Sequence, residues 1–192
     1  MFDFISSSSK RLSILIDDLL TFANSGTFSK STNIKIELKT IINTVIDNLN
    51  TIISSKNAHI ETIGDFPIIK INPTAITVLL QNFINNSIKF THSDIKPVIK
   101  ISSEILNNKF LIYITDNGLG IPKEDIEKIF TPFGRSLRTK EIEGSGLGLA
   151  TCLKIVKSYN GEINVEDNSK TGSTFTIIFP LDLLDEEISL KP

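Results

Sequence analysis

Apolar residues recur over residues 1–24 at the spacing of one helix face. Ile5, Leu12 and Leu19 form one stripe at intervals of seven, Ser8, Leu15 and Phe22 form a second, and Ile16 and Ala23 widen it. Lys10, Arg11, Asp17 and Asp18 fall off that face. The pattern predicts an amphipathic helix, and its heptad spacing suits one helix of a bundle better than a helix packed only on its own domain. Residues 25–33 are rich in Ser, Thr, Asn and Gly and predict a linker, the best domain boundary in the chain.

Beyond the linker, period-two and helical spacings interleave. Ile34, Ile36 and Leu38 alternate as a strand, and residues 38–53 have helical spacing. Residues 59–63 and 68–71 read as short apolar strands. Asn72-Pro73 is a helix start, a capping side chain followed by proline at the first helical position. That helix runs to about Phe90 and buries Ile76, Leu79, Leu80, Phe83, Ile84 and Ile88. Residues 98–105 and 110–115 predict a hairpin around Asn107-Asn108. A short helix follows Pro122, residues 134–145 are polar without period, and residues 147–159 are helical. Residues 162–165 and 174–179 predict two closing strands. The acidic stretch 182–192 reads as a surface tail. This order predicts an α+β fold: a two-layer sandwich with a mixed, mostly antiparallel sheet, helices on one face, and one amphipathic helix ahead of it.

Composition narrows the chemistry. With 40% apolar and 22% charged residues in 192, the chain can bury a core and is neither disordered nor collagen-like. A formal net charge of −2 excludes a strongly basic nucleic-acid binder. The single cysteine, Cys152, excludes a disulfide framework and a multi-cysteine zinc site, and reads as a small core residue. His59 and His92, the only two histidines, leave little material for a metal centre. No apolar run is long enough to span a bilayer, and Asp3 with no long apolar stretch argues against a signal peptide. The expected location is cytoplasmic, without direct membrane contact.

Three constellations remain. On the helix after Pro73, Asn82, Asn86 and Lys89 fall in one row, away from the buried face. An amide oxygen can ligate Mg²⁺ without adding charge beside a polyphosphate, and a lysine one turn on can neutralise phosphate oxygens. A solvated polar face is the plainer account of that row alone. Asp116-Asn117-Gly118-Leu119-Gly120-Ile121 follows a strand. Its carboxylate can accept a hydrogen bond from the exocyclic amine of adenine, whereas guanine would set acceptor against acceptor. An ordinary Asp-Asn-Gly turn is the alternative. Gly144-Ser145-Gly146-Leu147-Gly148-Leu149-Ala150 opens a helix, where backbone N–H groups can bind phosphate. It is neither a dinucleotide fingerprint, because Leu149 stands where Gly or Ala is needed, nor a P-loop, because Gly-Lys-Ser/Thr is missing.

In this order the three sets resemble the ATP-binding catalytic domain of sensor histidine kinases. Residues 82–91 (NFINNSIKFT) resemble the family's asparagine box, residues 116–121 its first glycine box, and residues 144–150 its second. Residues 129–135 (IFTPFGR) resemble the phenylalanine box between them. The resemblance spans roughly residues 34–181. It implies that Asn86 ligates magnesium, that Asn82 and Lys89 lie beside the phosphates, and that Phe90 borders the nucleotide. Asp116 would hold the adenine amine over a floor shaped by Gly118, Gly120 and Ile121. Gly144, Gly146, Leu147 and Gly148 would line the phosphates, with Ser145 and Leu149 also in the ATP site. Residues 131–145 would form a mobile lid carrying Phe133 and Arg135, the latter where family members often place a phosphate-contacting arginine.

The chain also departs from the pattern. The family's phosphoacceptor is a histidine followed by an acidic residue, whereas His59 precedes Ile60 and His92 precedes Ser93. Residues 1–24 resemble only the second helix of the family's dimerisation hairpin, and Thr131-Pro132-Phe133 replaces the commoner Glu-Pro-Phe. The expectation is a catalytic fragment that binds Mg-ATP and phosphorylates a histidine absent from this chain. Its expected partners are the missing acceptor helix, a response regulator receiver domain and, in the parent protein, a second copy. Autophosphorylation of the chain alone is not expected. A non-catalytic nucleotide-sensing or dimerisation module, and an anti-sigma-type serine kinase on the same fold, are the competing expectations.

Overall fold

A computed structural model describes residues 2–28, 32–139, 142–168 and 172–185. Helix α1 (Phe2–Asn24) leads into β1 (Ile34–Glu37), α2 (Leu38–Asn48), α3 (Asn50–Ser55), β2 (His59–Ile63), β3 (Ile68–Ile71) and α4 (Pro73–Lys89). There follow β4 (Val98–Leu106), β5 (Lys109–Asp116), α5 (Ile126–Ile129), α6 (Gly148–Ser158), β6 (Glu162–Asp167) and β7 (Ser173–Pro180). Five strands form one sheet in the order β2-β4-β5-β7-β6, with β1 and β3 paired apart from it. Only β2–β4 is parallel in the large sheet; the other pairings are antiparallel. The expected mixed, mostly antiparallel sheet with a helical layer is the observed one.

The core lies between that sheet and the apolar faces of α2, α4 and α6. All six α4 residues expected inside are buried, against Ile99, Ile101, Ile112, Ile114 and Phe175 of the sheet. The start of α4 is set locally: the Asn72 side chain accepts from the N–H groups of Thr74 (2.8 Å) and Ala75 (3.2 Å), and Pro73 needs no donor partner. Asn107 and Asn108 both take positive φ (51° and 58°), the backbone of a tight two-residue hairpin turn. Cys152 is buried, and desolvation pushes its thiol pKa far up, as suits a core residue.

Two local expectations change. The helix expected over 38–53 is broken at Leu49, which lies between two asparagines of low helix propensity. The stretch after residue 181 is not simply a surface tail. Leu183 and Leu184 join the core, and Leu184 bridges Ile69. The Asp185 N–H donates to Ile68 O, and its carboxylate pairs with Lys35 Nζ at 2.8 Å. Acidic neighbours masked a short apolar Leu-Asp-Leu-Leu segment that covers the β1–β3 pair. Residues 186–192 of the expected tail lie outside the described residues. No helix among the described residues is long and apolar enough to cross a membrane.

Candidate functional site

Where α4, the loop after β5 and the approach to α6 converge, they enclose a cavity of about 280 Å³. Asp116, the last residue of β5, is buried at one end. Its Oδ1 accepts from the N–H groups of Gly118 (2.8 Å) and Ser173 (3.2 Å), and its Oδ2 from the Ser87 hydroxyl (3.2 Å). Desolvation pushes its pKa above the ordinary carboxylate range, and the three donors pull it back. Leu119 N–H donates to Phe90 O, which ties this loop to the end of α4. A Cβ on Gly118 would come within 2.8 Å of Phe90 O and 2.9 Å of Asp116 Oδ1, so the close approach requires glycine.

Along the α4 wall, Asn82, Asn86, Lys89 and Phe90 all face the cavity. The row is not the solvated polar face that its sequence allowed. Asn82 Nδ2 donates to Val78 O at 2.9 Å, and its Oδ1 lies against Gly148. Lys89 Nζ abuts Gly144, where an added Cβ would sit 2.5 Å away. Burial and the Arg135 guanidinium push the Lys89 pKa down; Asp18 and Glu143 push it back up.

Opposite lies the loop before α6. Gly144, Ser145, Gly146, Gly148 and Leu149 line the cavity, together with Arg135 from the preceding loop. Gly146 has φ +73° and packs on the Phe133 backbone. Arg135 Nη2 donates to Thr139 O (2.5 Å) and to Ile142 O, so the guanidinium bridges the loop's own carbonyls. Ser136, buried, donates to the buried Asp125 carboxylate at 2.5 Å.

Most of the expected site residues therefore meet in one cavity; Gly120 and Ile121 line it beside Asp116. Three do not. Gly118 lies behind Asp116, and Leu147 is in the core with its N–H on Ser145 Oγ. Phe133 is 63% exposed with φ +62°, an unusual backbone for a bulky residue. Sequence reasoning missed Ser87 and Ser173, which orient Asp116, and Ile14 and Asp18 of α1, which line the cavity. Ser87 sits inside the α4 motif and was findable; no spacing rule points to Ser173 or Asp18.

No group of three or more His, Cys, Asp or Glu side chains capable of holding a metal occurs among the described residues. The cavity instead offers the neutral amide oxygens of α4. That donor set fits a Mg²⁺ ion bound chiefly by substrate phosphates and water, with one protein oxygen.

Residues 71–183 match the family described as histidine kinase-, DNA gyrase B-, and HSP90-like ATPases. The phytochrome-like protein Cph1 of Synechocystis is 32% identical over 93% of this chain, which spans 24% of that protein. The sensor histidine kinase WalK of Bacillus subtilis is 29% identical over 89% of the chain and 29% of its own length. The chain thus spans less than a third of either relative. Among solved structures, the catalytic domain of histidine kinase ThkA superimposes with a TM-score of 0.65 at 30% identity, covering 77% of this chain and 97% of that one. Full-length ShkA in complex with AMPPNP shares the fold, with a TM-score of 0.76 at 20% identity over 93% of this chain and 38% of that one. A buried carboxylate, an amide-and-lysine row and a glycine turn in one cavity, carried on this sheet, agree with those likenesses: the chain belongs to the histidine kinase-, DNA gyrase B- and HSP90-like ATPase family, as a catalytic domain of the sensor histidine kinase type.

Proposed function

We propose that the cavity binds Mg-ATP and that the parent protein transfers its γ-phosphoryl group to a histidine outside this chain, and from there to a response regulator receiver domain. The observation that carries this reading is the shared cavity of Asp116, the α4 row and the glycine turn. Asp116 accepts the adenine amine. Asn82 and Lys89 flank the phosphates, and Asn86 supplies the protein oxygen to Mg²⁺, which when bound offsets phosphate charge. The backbone of residues 144–149 donates to the phosphate oxygens, with Arg135 released from its loop carbonyls to join them. Transfer breaks the bond between the γ-phosphorus and its bridging oxygen and forms a phosphorus–nitrogen bond to the acceptor imidazole. The chain's contribution is positioning and charge neutralisation.

His59 heads β2 and His92 lies in the turn after α4; neither lines the cavity, and neither is assigned as acceptor. Helix α1 serves as the second helix of a dimerisation hairpin, residues 25–33 as the linker, and residues 34–181, extended by 182–185, as the catalytic domain. Relatives named as sensor kinases favour this over a serine kinase.

Calorimetric titration tests the reading. ATP is expected to bind more tightly with Mg²⁺ than without, and GTP to bind far more weakly. Adding a helical hairpin with a His-Glu acceptor in trans is expected to yield acid-labile, base-stable phosphate on that hairpin and none on this chain. Equal affinity for ATP and GTP, or phosphate on His59 or His92, contradicts it.

A further inference from the structure

Helix α1 does not stand clear of the catalytic domain. Lys154, on α6, donates to two carbonyls at its C-terminus, Phe22 O at 2.9 Å and Ala23 O at 3.1 Å. The same ammonium lies 4.8 Å from the centre of the Phe22 ring. Carbonyls at a helix C-terminus lack partners within the helix and carry partial negative charge, so a lysine there is a clamp. Farther back along α1, Ile14 and Asp18 form part of the cavity wall. Asp18 Oδ2 accepts a 2.5 Å hydrogen bond from the Ser145 hydroxyl, inside the glycine turn. Its charge also acts on Lys89, another lining residue of the same cavity. The docking is partial, because Leu12, Ile16, Leu19 and Leu20 of α1 remain half exposed or more.

We propose that Asp18 is a specificity-determining residue of the nucleotide site: while α1 is docked, it selects against the triphosphate relative to the diphosphate. The proposal rests on the ATP reading of the cavity. Three effects act in the same direction. A carboxylate bonded to the glycine turn repels the phosphate tail, and a triphosphate brings more negative charge there than a diphosphate. The Ser145 hydroxyl, donating to Asp18, is withheld from a phosphate oxygen. Asp18 also attracts the Lys89 ammonium, in competition with the phosphate oxygens it would otherwise serve. Release of α1 removes all three at once, so the position of this helix sets which nucleotide the site retains. A contact that leaves much of the helix's apolar surface uncovered is suited to reversal.

The test uses the full chain with ADP and a non-hydrolysable ATP analogue, both with Mg²⁺. Asp18→Asn is expected to tighten the analogue about five-fold and ADP by much less, raising the ratio of the two affinities. Lys154→Ala loosens α1 from outside the cavity and is expected to raise the same ratio. Asp17→Asn, the same charge change on an exposed neighbour, should leave it unaltered. An unchanged ratio in Asp18→Asn overturns the proposal. So does weaker analogue binding, the result if the carboxylate helps to hold a cation at the phosphates. Failure of the unsubstituted chain to bind either nucleotide would overturn the ATP reading itself, and the proposal with it.

Discussion

At one end of the cavity a single buried carboxylate is held by donors from α4, from the loop after β5 and from the start of β7. At the other end a glycine turn at positive φ faces a loop whose arginine is bonded to its own carbonyls. The first end is part of the hydrogen-bonded frame of the domain. Gly172, beside it, is so close to Asp116 that an added Cβ would lie 1.8 Å from the Asp116 carbonyl oxygen. Among the described residues the second end is held mostly by bonds within the loop, with side-chain anchors beyond it that include Ser136 to Asp125 and Ser145 to Asp18. A rigid end suits a ligand part that must be recognised by shape and hydrogen bonding. A loosely tethered end suits one that must be covered, reacted and released.

The sharpest way to break this contrast is Asp116→Asn. Whichever way the amide turns, its NH₂ group meets a donor, either the nucleotide amine or one of the three that now hold the carboxylate. Adenine-nucleotide affinity is expected to fall at least about a hundred-fold, equally for ATP, ADP and adenosine. An unchanged calorimetric affinity would remove Asp116 from its assigned role. The same residue predicts an acid limb. Because burial raises its pKa above 3.8, lowering the pH protonates it sooner than an ordinary aspartate. The neutral carboxyl carries an O–H where only acceptors are wanted, so affinity drops as pH falls through that raised value. The limb should vanish in Asp116→Asn.

At the other end, Lys89→Ala is expected to weaken ATP about ten-fold, ADP less, and adenosine not at all, because the ammonium acts on phosphate charge alone. Equal losses for all three ligands would mean that Lys89 shapes the pocket rather than the charge. The smallest effect is expected from Ser136→Ala, which leaves the buried Asp125 carboxylate without its serine donor. It should cost about 1–2 kcal/mol locally, seen as faster proteolysis between residues 131 and 145 and about three-fold weaker ATP binding. A loop no more susceptible to protease would show that the anchor lies elsewhere.

Much of this is legible in the sequence. The α4 cap announced itself through Asn72-Pro73, the hairpin through Asn107-Asn108, and the cavity residues through motif order. The misses share a cause. Ser173 and Asp18 reach the site across long stretches of chain, and no local period encodes such a meeting. Leu183 and Leu184 were hidden because acidic neighbours dominate a composition-based reading, while burial depends on what lies opposite, here Ile69 of β3. Phe133 carried the expectation of a site residue, yet its positive φ places it at an exposed loop edge.

By itself the sequence determined the elements, their amphipathic faces and the chemical kinds of group available. Those depend on contacts within a few residues, through helical period, strand alternation and capping. Tertiary structure decided which groups share one cavity, how Asp116 is desolvated and held, and that an aspartate of the first helix bonds to the glycine turn. Those outcomes depend on packing between residues far apart in the chain, where burial and distance set the strength of every charge.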